Sequence, residues 1–258
     1  MLHYRLYETD PSYSWVTFIH GAGGSSSIWY KQIKEYKNHF NILCIDLRGH
    51  GKSKKDTWKK NDTFIQVAED VIKVLDHLNI SSSHFVGISL GTIVIQTLAQ
   101  EYPNRVLSTI LGGAVIKLNI RAKFLLTVGR LFKSIIPYMW LYKLFATIIM
   151  PYSHHKESRI VFIQQAKKMC QKEFVRWFSL TKSINPFLKN LQLNVKGIPT
   201  LFIMGEEDYL FLAPVKELVS RQPELHLITL KNSGHVCNID QPQKFNKATI
   251  QFIQSLNY

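Results

Sequence analysis

The stretch His84-Phe85-Val86-Gly87-Ile88-Ser89-Leu90-Gly91-Thr92 decides the fold. Its first half, up to Ile88, is rich in aromatic and β-branched residues that favour a buried strand. Between residues 93 and 98 the apolar side chains recur at helical spacing instead. The stretch therefore predicts a strand that turns sharply into a helix, with Ser89 at the turn.

Gly87, Ser89 and Gly91 fit the pattern G-x-S-x-G. At so sharp a turn, a side chain two residues before or after the serine would collide with the crossing strand and helix. The pattern places an exposed hydroxyl at a helix N-terminus, where developing negative charge is favoured. Three fixed positions also occur by chance, and a glycine-flanked serine would suit a plain helix N-cap. The interpretation as a nucleophile therefore depends on partners elsewhere in the chain.

The length of 258 residues predicts one α/β domain with an insertion, and the hydrophobic content of 46% is ample for its core. The first residues lead directly into strand-like sequence, so no signal peptide is expected. The most apolar region, 135–150, contains Pro137 and Lys143 and is too short for a confident membrane span. The odd set Cys44, Cys170 and Cys237 lacks metal-ligand spacing, which favours a reducing, cytoplasmic location without a structural disulfide.

The net charge of +14 is concentrated in one segment. Residues 114–191 hold fourteen Lys and Arg against only Glu157 and Glu173, so the rest of the chain is nearly neutral. A nucleic-acid partner is not predicted from this distribution. Solvated helix faces are the favoured interpretation, and weak association with an anionic membrane surface, or with acidic substrates, stays open.

Strands and helices alternate along most of the chain, which predicts a mostly parallel sheet flanked by helices. Between residues 114 and 193 the alternation gives way to helical composition broken by prolines and dense in aromatic residues. This stretch predicts an inserted helical cap (114–193) over a core formed by residues 1–113 and 194–258. Most of its aromatic side chains should pack against the core, and a few should line an apolar pocket over Ser89. Strands are predicted at 4–7, 14–19, 40–45, 81–88, 106–111, 198–204 and 225–230, and helices outside the cap at 28–36, 62–78, 93–101, 214–221 and 241–256.

Two glycine-containing loops precede the Ser89 turn. The first, 20–25, lacks the spacing and lysine of a phosphate-binding loop, and it is interpreted as a loop that aims backbone N–H groups at an oxyanion. The second begins at Asp46 and contains Arg48 and His50. A local salt bridge between Asp46 and Arg48 is predicted to hold this second loop, and His50 is assigned a structural role.

An acid and a histidine follow later strands in the order that a serine nucleophile requires. A serine hydroxyl is a weak nucleophile at neutral pH and needs a general base, for which His235 is the candidate. A carboxylate must orient that imidazole, and Glu206, Glu207 and Asp208 all follow the strand at 198–204. The backbone N–H of Leu90 would be one oxyanion donor.

The order Ser…Asp…His resembles the α/β-hydrolase fold family along nearly the whole chain outside the cap. The motifs that carry the resemblance are His20-Gly21, Asp46-x-Arg48-Gly49-x-Gly51-x-Ser53, the Gly87-x-Ser89-x-Gly91 turn, Gly205-x-x-Asp208 and Gly234-His235. The resemblance implies that Asp208 is the orienting acid and that Ala22 supplies the second oxyanion N–H. It also implies that neither metal nor cofactor is required.

These features predict a serine hydrolase of the carboxylesterase or lipase-like kind, acting on a small apolar ester through an acyl-Ser89 intermediate. Relatives with aspartate at the turn attack epoxides or carbon–halogen bonds, whereas serine indicates acyl transfer. Thioester, lactone or carbon–carbon bond hydrolysis and lyase chemistry on the same triad remain alternatives. A small-molecule receptor of hydrolase fold is a further alternative, because a fold does not fix a function.

Overall fold

A seven-stranded sheet runs through the computed structural model, which describes residues 1–53, 58–59, 61–118, 136–180 and 197–256 with positions 120, 123, 127 and 188. The strand order is β1-β3-β2-β4-β5-β6-β7; β1 pairs antiparallel with β3, and the other neighbours pair in parallel. This topology confirms the predicted mostly parallel sheet. The strands are β1 (Tyr4–Tyr7), β2 (Trp15–Ile19), β3 (Asn41–Ile45), β4 (Ser83–Ile88), β5 (Val106–Gly112), β6 (Thr200–Gly205) and β7 (His226–Leu230).

Helices cover both faces of the sheet. Among the described residues they are α1 (Tyr30–Tyr36), α2 (Phe64–His77), α3 (Leu90–Glu101), α4 (Tyr138–Ile149), α5 (Lys156–Ala166), α6 (Gln171–Leu180), α7 (Leu212–Arg221), α8 (Cys237–Asp240) and α9 (Pro242–Ser255). Short 3₁₀ turns lie at Ser26–Trp29, Pro103–Arg105 and Ser153–His155. The start of α2 is fixed by a capping box, in which Thr63 and Gln66 satisfy each other's backbone N–H groups.

The core has two halves, one on each face of the sheet. Along β3, Leu43 and Ile45 pack into the half covered by α2 and α3, while Ile42 and Cys44 pack into the half covered by α1 and α9. This alternation follows from the two-residue period of a strand that is buried on both faces. Burial also raises the pKa of the Cys44 thiol, which keeps this free cysteine protonated and unreactive.

The described residues between β5 and β6 are helical, with α4, α5 and α6 and no strand among them. Residues 136–180 are called the helical segment below. The boundaries predicted for the cap, at 114 and 193, remain predictions, and positions 181–187 and 189–196 lie outside the described residues. Within the described part of the chain, no helix combines the length and the apolar character needed to cross a bilayer.

Candidate active site

The turn after β4 has the conformation that its glycines predict. Ser89 has φ 55° and ψ −118°, in the left-handed region that L-residues rarely adopt, and its N–H donates to the Gly112 carbonyl at 3.0 Å. A Cβ on Gly91 would lie in hard contact with the Ile19 carbonyl oxygen of β2. A Cβ on Gly21 would lie 3.1 Å from the Ser89 Cβ. Glycine at both positions therefore lets the serine turn sit against the neighbouring strand and loop.

Ser89, His235 and Asp208 lie in one hydrogen-bonded row. The His235 Nε2 is 2.8 Å from the Ser89 Oγ, and the His235 Nδ1 is 2.8 Å from the Asp208 Oδ2. A carboxylate only accepts, so Nδ1 carries the proton that it donates to Asp208, and Nε2 is left to accept from the serine hydroxyl. Asp208 and His235 are each 1% exposed, which keeps water from competing for this pair. The structure thus brings together the three predicted side chains from three separate loops.

Contacts between backbones hold the loops of the acid and the base together. A Cβ on Gly205 would overlap the carbonyl oxygens of Ser233 and Gly234, and a Cβ on Gly113 would overlap the carbonyl of His235. The Phe211 ring packs on the imidazole of His235 at a centroid distance of 4.9 Å. Gly205 and Gly113 are therefore required by close packing at the carboxyl edge of the sheet.

The two other acids beside Asp208 do not reach His235. Glu206 is exposed, and Glu207 points to the helical segment, where His154 and His155 approach its carboxylate. Of the three acids considered, Asp208 alone contacts the imidazole of His235.

The loop at residues 20–25 is held by two buried histidines. The Nδ1 of His20 donates to the Gly21 carbonyl at 2.7 Å, and its Nε2 accepts from the Leu47 N–H at 3.0 Å. The Nε2 of His50 accepts from the Gly23 N–H at 2.9 Å. Burial lowers the pKa of both imidazoles, so they stay neutral and keep an acceptor nitrogen for these contacts. The structural role predicted for His50 is confirmed.

The two predicted oxyanion donors flank the serine turn. Leu90 occupies the first position of α3, where a backbone N–H has no partner within the helix. Ala22 follows Gly21, and no hydrogen bond to another described residue engages its N–H. Its carbonyl accepts from the Tyr142 hydroxyl of the helical segment at 2.5 Å. Leu90 adjoins Ser89 in the sequence and Ala22 lines the same pocket as Ser89, and the role of both amides as oxyanion donors remains a prediction.

The predicted salt bridge between Asp46 and Arg48 is wrong. The Asp46 carboxylate accepts from the backbone N–H groups of Ser26 and Lys52, at 2.6 and 2.9 Å. Arg48 instead pairs with Asp62, at 2.7 Å, and with Asp70. The reason is the turn itself, which brings backbone donors to Asp46, while the guanidinium extends toward α2. Burial alone would raise the pKa of Asp46, but the hydrogen bonds from the Lys52 and Ser26 backbones outweigh it and lower the pKa.

A small apolar pocket opens beside Ser89. Its walls come from the loop at 20–25, the serine turn, the loop of His235 and helix α5, where Val161, Phe162 and Gln165 face it. The space open to the centre of a water molecule is about 20 Å³. By the same measure, a single water needs about 10–15 Å³. No Lys or Arg is among the described residues that line it. The pocket therefore suits a small uncharged group.

Comparison with known proteins agrees with the observed fold. The sequence profile of the alpha/beta hydrolase fold matches residues 14–134. The chain is 24% identical to 3-oxoadipate enol-lactonase 2 of Acinetobacter baylyi, over 93% of this chain and 88% of that protein. It is also 24% identical to an uncharacterized carboxylesterase of Bacillus subtilis, over 93% and 79% of the two chains. A crystal structure of a hydrolase from Pseudomonas aeruginosa superposes with a TM-score of 0.83 at 24% identity, over 98% and 94% of the chains.

This chain has the α/β-hydrolase fold. The fold explains why the candidate site lies where it does, because ligands of open parallel sheets bind beyond the carboxyl ends of the strands. Ser89 follows β4, Asp208 follows β6 and His235 follows β7. Hydrolysis of an ester-type substrate is consistent with these relatives.

Two contacts beside the candidate site have no counterpart among the sequence predictions. Tyr142 is one of the aromatic residues of the predicted cap, and its bond to Ala22 joins positions 120 residues apart. Glu207 was weighed only as an alternative to Asp208. No spacing rule connects either residue to its partner, so the sequence offered no signal for these contacts.

Proposed function

We propose that this protein is a serine hydrolase that cleaves small, apolar carboxylic esters through an acyl-Ser89 intermediate. The observation that carries the proposal is the row of hydrogen bonds from Asp208 through His235 to Ser89. The neutral Nε2 is positioned to take the hydroxyl proton, and the buried carboxylate stabilises the imidazolium that forms.

The reaction follows from these positions. The Ser89 Oγ attacks the ester carbonyl carbon while His235 takes its proton, and the resulting oxyanion accepts from the N–H groups of Leu90 and Ala22. The tetrahedral adduct collapses as His235 returns the proton to the leaving alcohol. Water then attacks the acyl carbon as His235 takes its proton, and His235 returns that proton to the Ser89 Oγ as the acid leaves.

The pocket supports a small acyl group without charge. Its described walls are apolar or neutral, so a dicarboxylate would find no cation there. A neutral lactone, which is an internal ester, would follow the same steps. We therefore include short lactones with short aryl esters in the substrate class.

We also propose that residues 114–193 form a cap over this pocket, with helix α5 as its described wall. The exposed lysines of the helical segment, at 143, 156, 167, 168 and 172, are solvated in the structure. Weak attachment of this basic face to anionic membranes and a cytoplasmic location remain secondary proposals. Sedimentation with anionic vesicles at low salt tests the first, and an absence of binding would remove it.

The decisive experiment measures turnover of acetyl to octanoyl aryl esters, and of short lactones, by wild type, Ser89→Ala and Ser220→Ala. Ser220 lies on the exposed face of α7 and serves as the matched serine control. We expect Ser89→Ala to lose roughly 10⁴-fold or more in kcat, as removal of a triad nucleophile does, and Ser220→Ala to keep full activity. Equal turnover by wild type and Ser89→Ala would refute the proposal.

Repeated turnover, measured together with fluorophosphonate labelling, separates the enzyme from a receptor of the same fold. Both would be labelled at Ser89, but only an enzyme turns over ester repeatedly. A single turnover on every ester of the panel would favour the receptor.

A further inference from the structure

A second cluster of chemically active side chains lies beside the triad, where the helical segment meets the core. The Nε2 atoms of His154 and His155 lie 2.6 and 2.8 Å from the same carboxylate oxygen of Glu207. The ligand atoms that these three residues offer all lie within 4.8 Å of one another. The ester-hydrolysis mechanism uses none of them.

The cluster contains buried polar atoms that the described residues leave unsatisfied. His155 is fully buried, and neither of its ring nitrogens makes a hydrogen bond, since its Nε2 is close to Glu207 but not in line with it. Asp240 is a buried acid near both histidines, and its carboxylate accepts from the Gly234 N–H at 2.8 Å and interacts with the Ser158 hydroxyl. Leaving buried polar atoms such as the His155 nitrogens unpaired is costly, and native proteins rarely do so without a bound water or ion.

We propose that His154, His155 and Glu207 bind a divalent transition-metal ion, best matched by Zn²⁺. Two imidazole nitrogens and one carboxylate form a donor set that zinc accepts, with an open fourth position for water. Imidazole donors also favour zinc, nickel or copper over magnesium and calcium. Asp240 is a nearby carboxylate, and metal-bound histidines commonly donate their second ring N–H to such a group.

The distances fit an ion after a small adjustment. Donor atoms of a tetrahedral site lie about 3.3 Å apart when each is about 2.0–2.1 Å from zinc. The carboxylate of Glu207 must therefore withdraw by roughly half an ångström from the two nitrogens, and the nitrogens, which lie within 4.8 Å of each other, must come to that same separation. Glu207 is able to move, because its side chain is 19% exposed and lies on a loop.

The position of the cluster gives the ion a structural consequence. Glu207 directly precedes Asp208. The ring of His155 comes within 2.9 Å of the position that a Cβ on Gly234 would occupy. Gly234 in turn precedes His235. A bound ion would thus tie the 3₁₀ turn Ser153–His155 to both loops that carry the acid and the base, and would fasten the helical segment over the pocket.

The test titrates untagged, chelator-treated protein with Zn²⁺, Co²⁺ and Mg²⁺, using calorimetry and, for Co²⁺, visible absorption. We expect one Zn²⁺ per chain, a four-coordinate Co²⁺ spectrum and no binding of Mg²⁺. With zinc at about 100 times its Kd, the melting temperature should rise by about 5–10 °C. Wild type that binds no zinc stoichiometrically, or binds Mg²⁺ equally well, would overturn the proposal.

Variants locate the ion. His154→Ala and Glu207→Gln change partly exposed side chains, so both should fold, and circular dichroism checks this. Each should weaken zinc binding by at least about 10- to 100-fold, the loss seen even for an outer-shell partner. His39→Ala removes an exposed histidine just before β3, at the opposite edge of the sheet, and Ser89→Ala removes a triad hydroxyl. Both should bind zinc as wild type does, and an unchanged affinity in His154→Ala and Glu207→Gln would refute the site.

Discussion

Removal of the Tyr142 hydroxyl tests whether the helical segment helps to build the oxyanion site. This hydroxyl donates to the Ala22 carbonyl at 2.5 Å, and Tyr142 itself is 4% exposed. The same hydroxyl would be in hard contact with a Cβ on Gly23, which has φ 71°. The loop is therefore shaped around the tyrosine, and Tyr142→Phe removes one donor without changing the volume of the ring.

The expected size of the effect follows from the Ala22 carbonyl, which loses its hydrogen-bond donor in Tyr142→Phe. Loss of a hydrogen bond to a buried or part-buried carbonyl costs about 1–3 kcal/mol in the free energy of unfolding. For a chain of this size, that lowers the melting temperature by roughly 2–10 °C. The Ala22 N–H is loosened but not removed, so kcat should fall by about tenfold, well below the 10²–10³-fold for outright loss of a donor. KM should change little, because the effect is on the transition state.

Tyr138→Phe is the matched control. The Tyr138 hydroxyl donates to the backbone carbonyls of Met169 and Ala166, at 2.5 and 3.3 Å, within the helical segment, and makes no hydrogen bond to Ala22. Both variants therefore lose one hydroxyl that donates to a backbone carbonyl. Steady-state kinetics on the best short ester, with melting temperatures for both proteins, separates catalysis from stability. An equal loss of kcat in the two variants, or an unchanged kcat in Tyr142→Phe, would refute the argument.

Three further predictions concern the fold and the pocket. Gly91→Ala should lower the free energy of unfolding by about 3 kcal/mol or more, because the new methyl group meets the backbone of β2. Gly197→Ala is the control: Gly197 has φ 83° but open space around it, so the substitution should cost about 1 kcal/mol. Equal melting temperatures of the two variants would contradict this. Burial lowers the pKa of His84 to about 4. As the pH falls from 6.5 to 4, the imidazole therefore binds a proton in the unfolded state but not in the folded state, and the free energy of unfolding should fall by up to about 3 kcal/mol. Urea unfolding across that range should show a shallower pH slope for His84→Gln, and an identical slope would count against burial as the cause. Phe162→Ala should raise the octanoyl-to-acetyl ratio of kcat/KM by about tenfold, because Phe162 forms a wall of the pocket, and an unchanged ratio would place the acyl group elsewhere.

The strand–turn–helix around Ser89 was predictable because its determinants are local. Two glycines, a β-branched run and a helical period lie within a few residues of the serine. The structure departs from the predicted boundaries mainly where tertiary contacts intervene. Helix α7 begins at Leu212 and not at 214, since the Leu212 N–H bonds back to the Asp208 carbonyl. The four-residue helix α8 was missed because it is too short to show a period.

The Asp46 and Arg48 error shows what sequence proximity leaves out. Opposite charges two residues apart invite a pairing, but a tight turn offers backbone N–H groups that satisfy a carboxylate without a cation. Arg48 was then free to reach Asp62 and Asp70, one before and one within α2. Pairings of this kind depend on where a helix packs, which no local pattern contains.

The same limit explains why the helical segment is the part of the site least accessible from sequence. The triad depends on an order of motifs that one fold constrains, whereas Tyr142, His154 and His155 act through contacts with Ala22 and Glu207 across the chain. These contacts reach both sides of the reaction centre, the oxyanion loop and the loops of the acid and base. The helical segment thus contacts both sides of the proposed reaction centre, and Tyr142→Phe and zinc titration test those two connections separately.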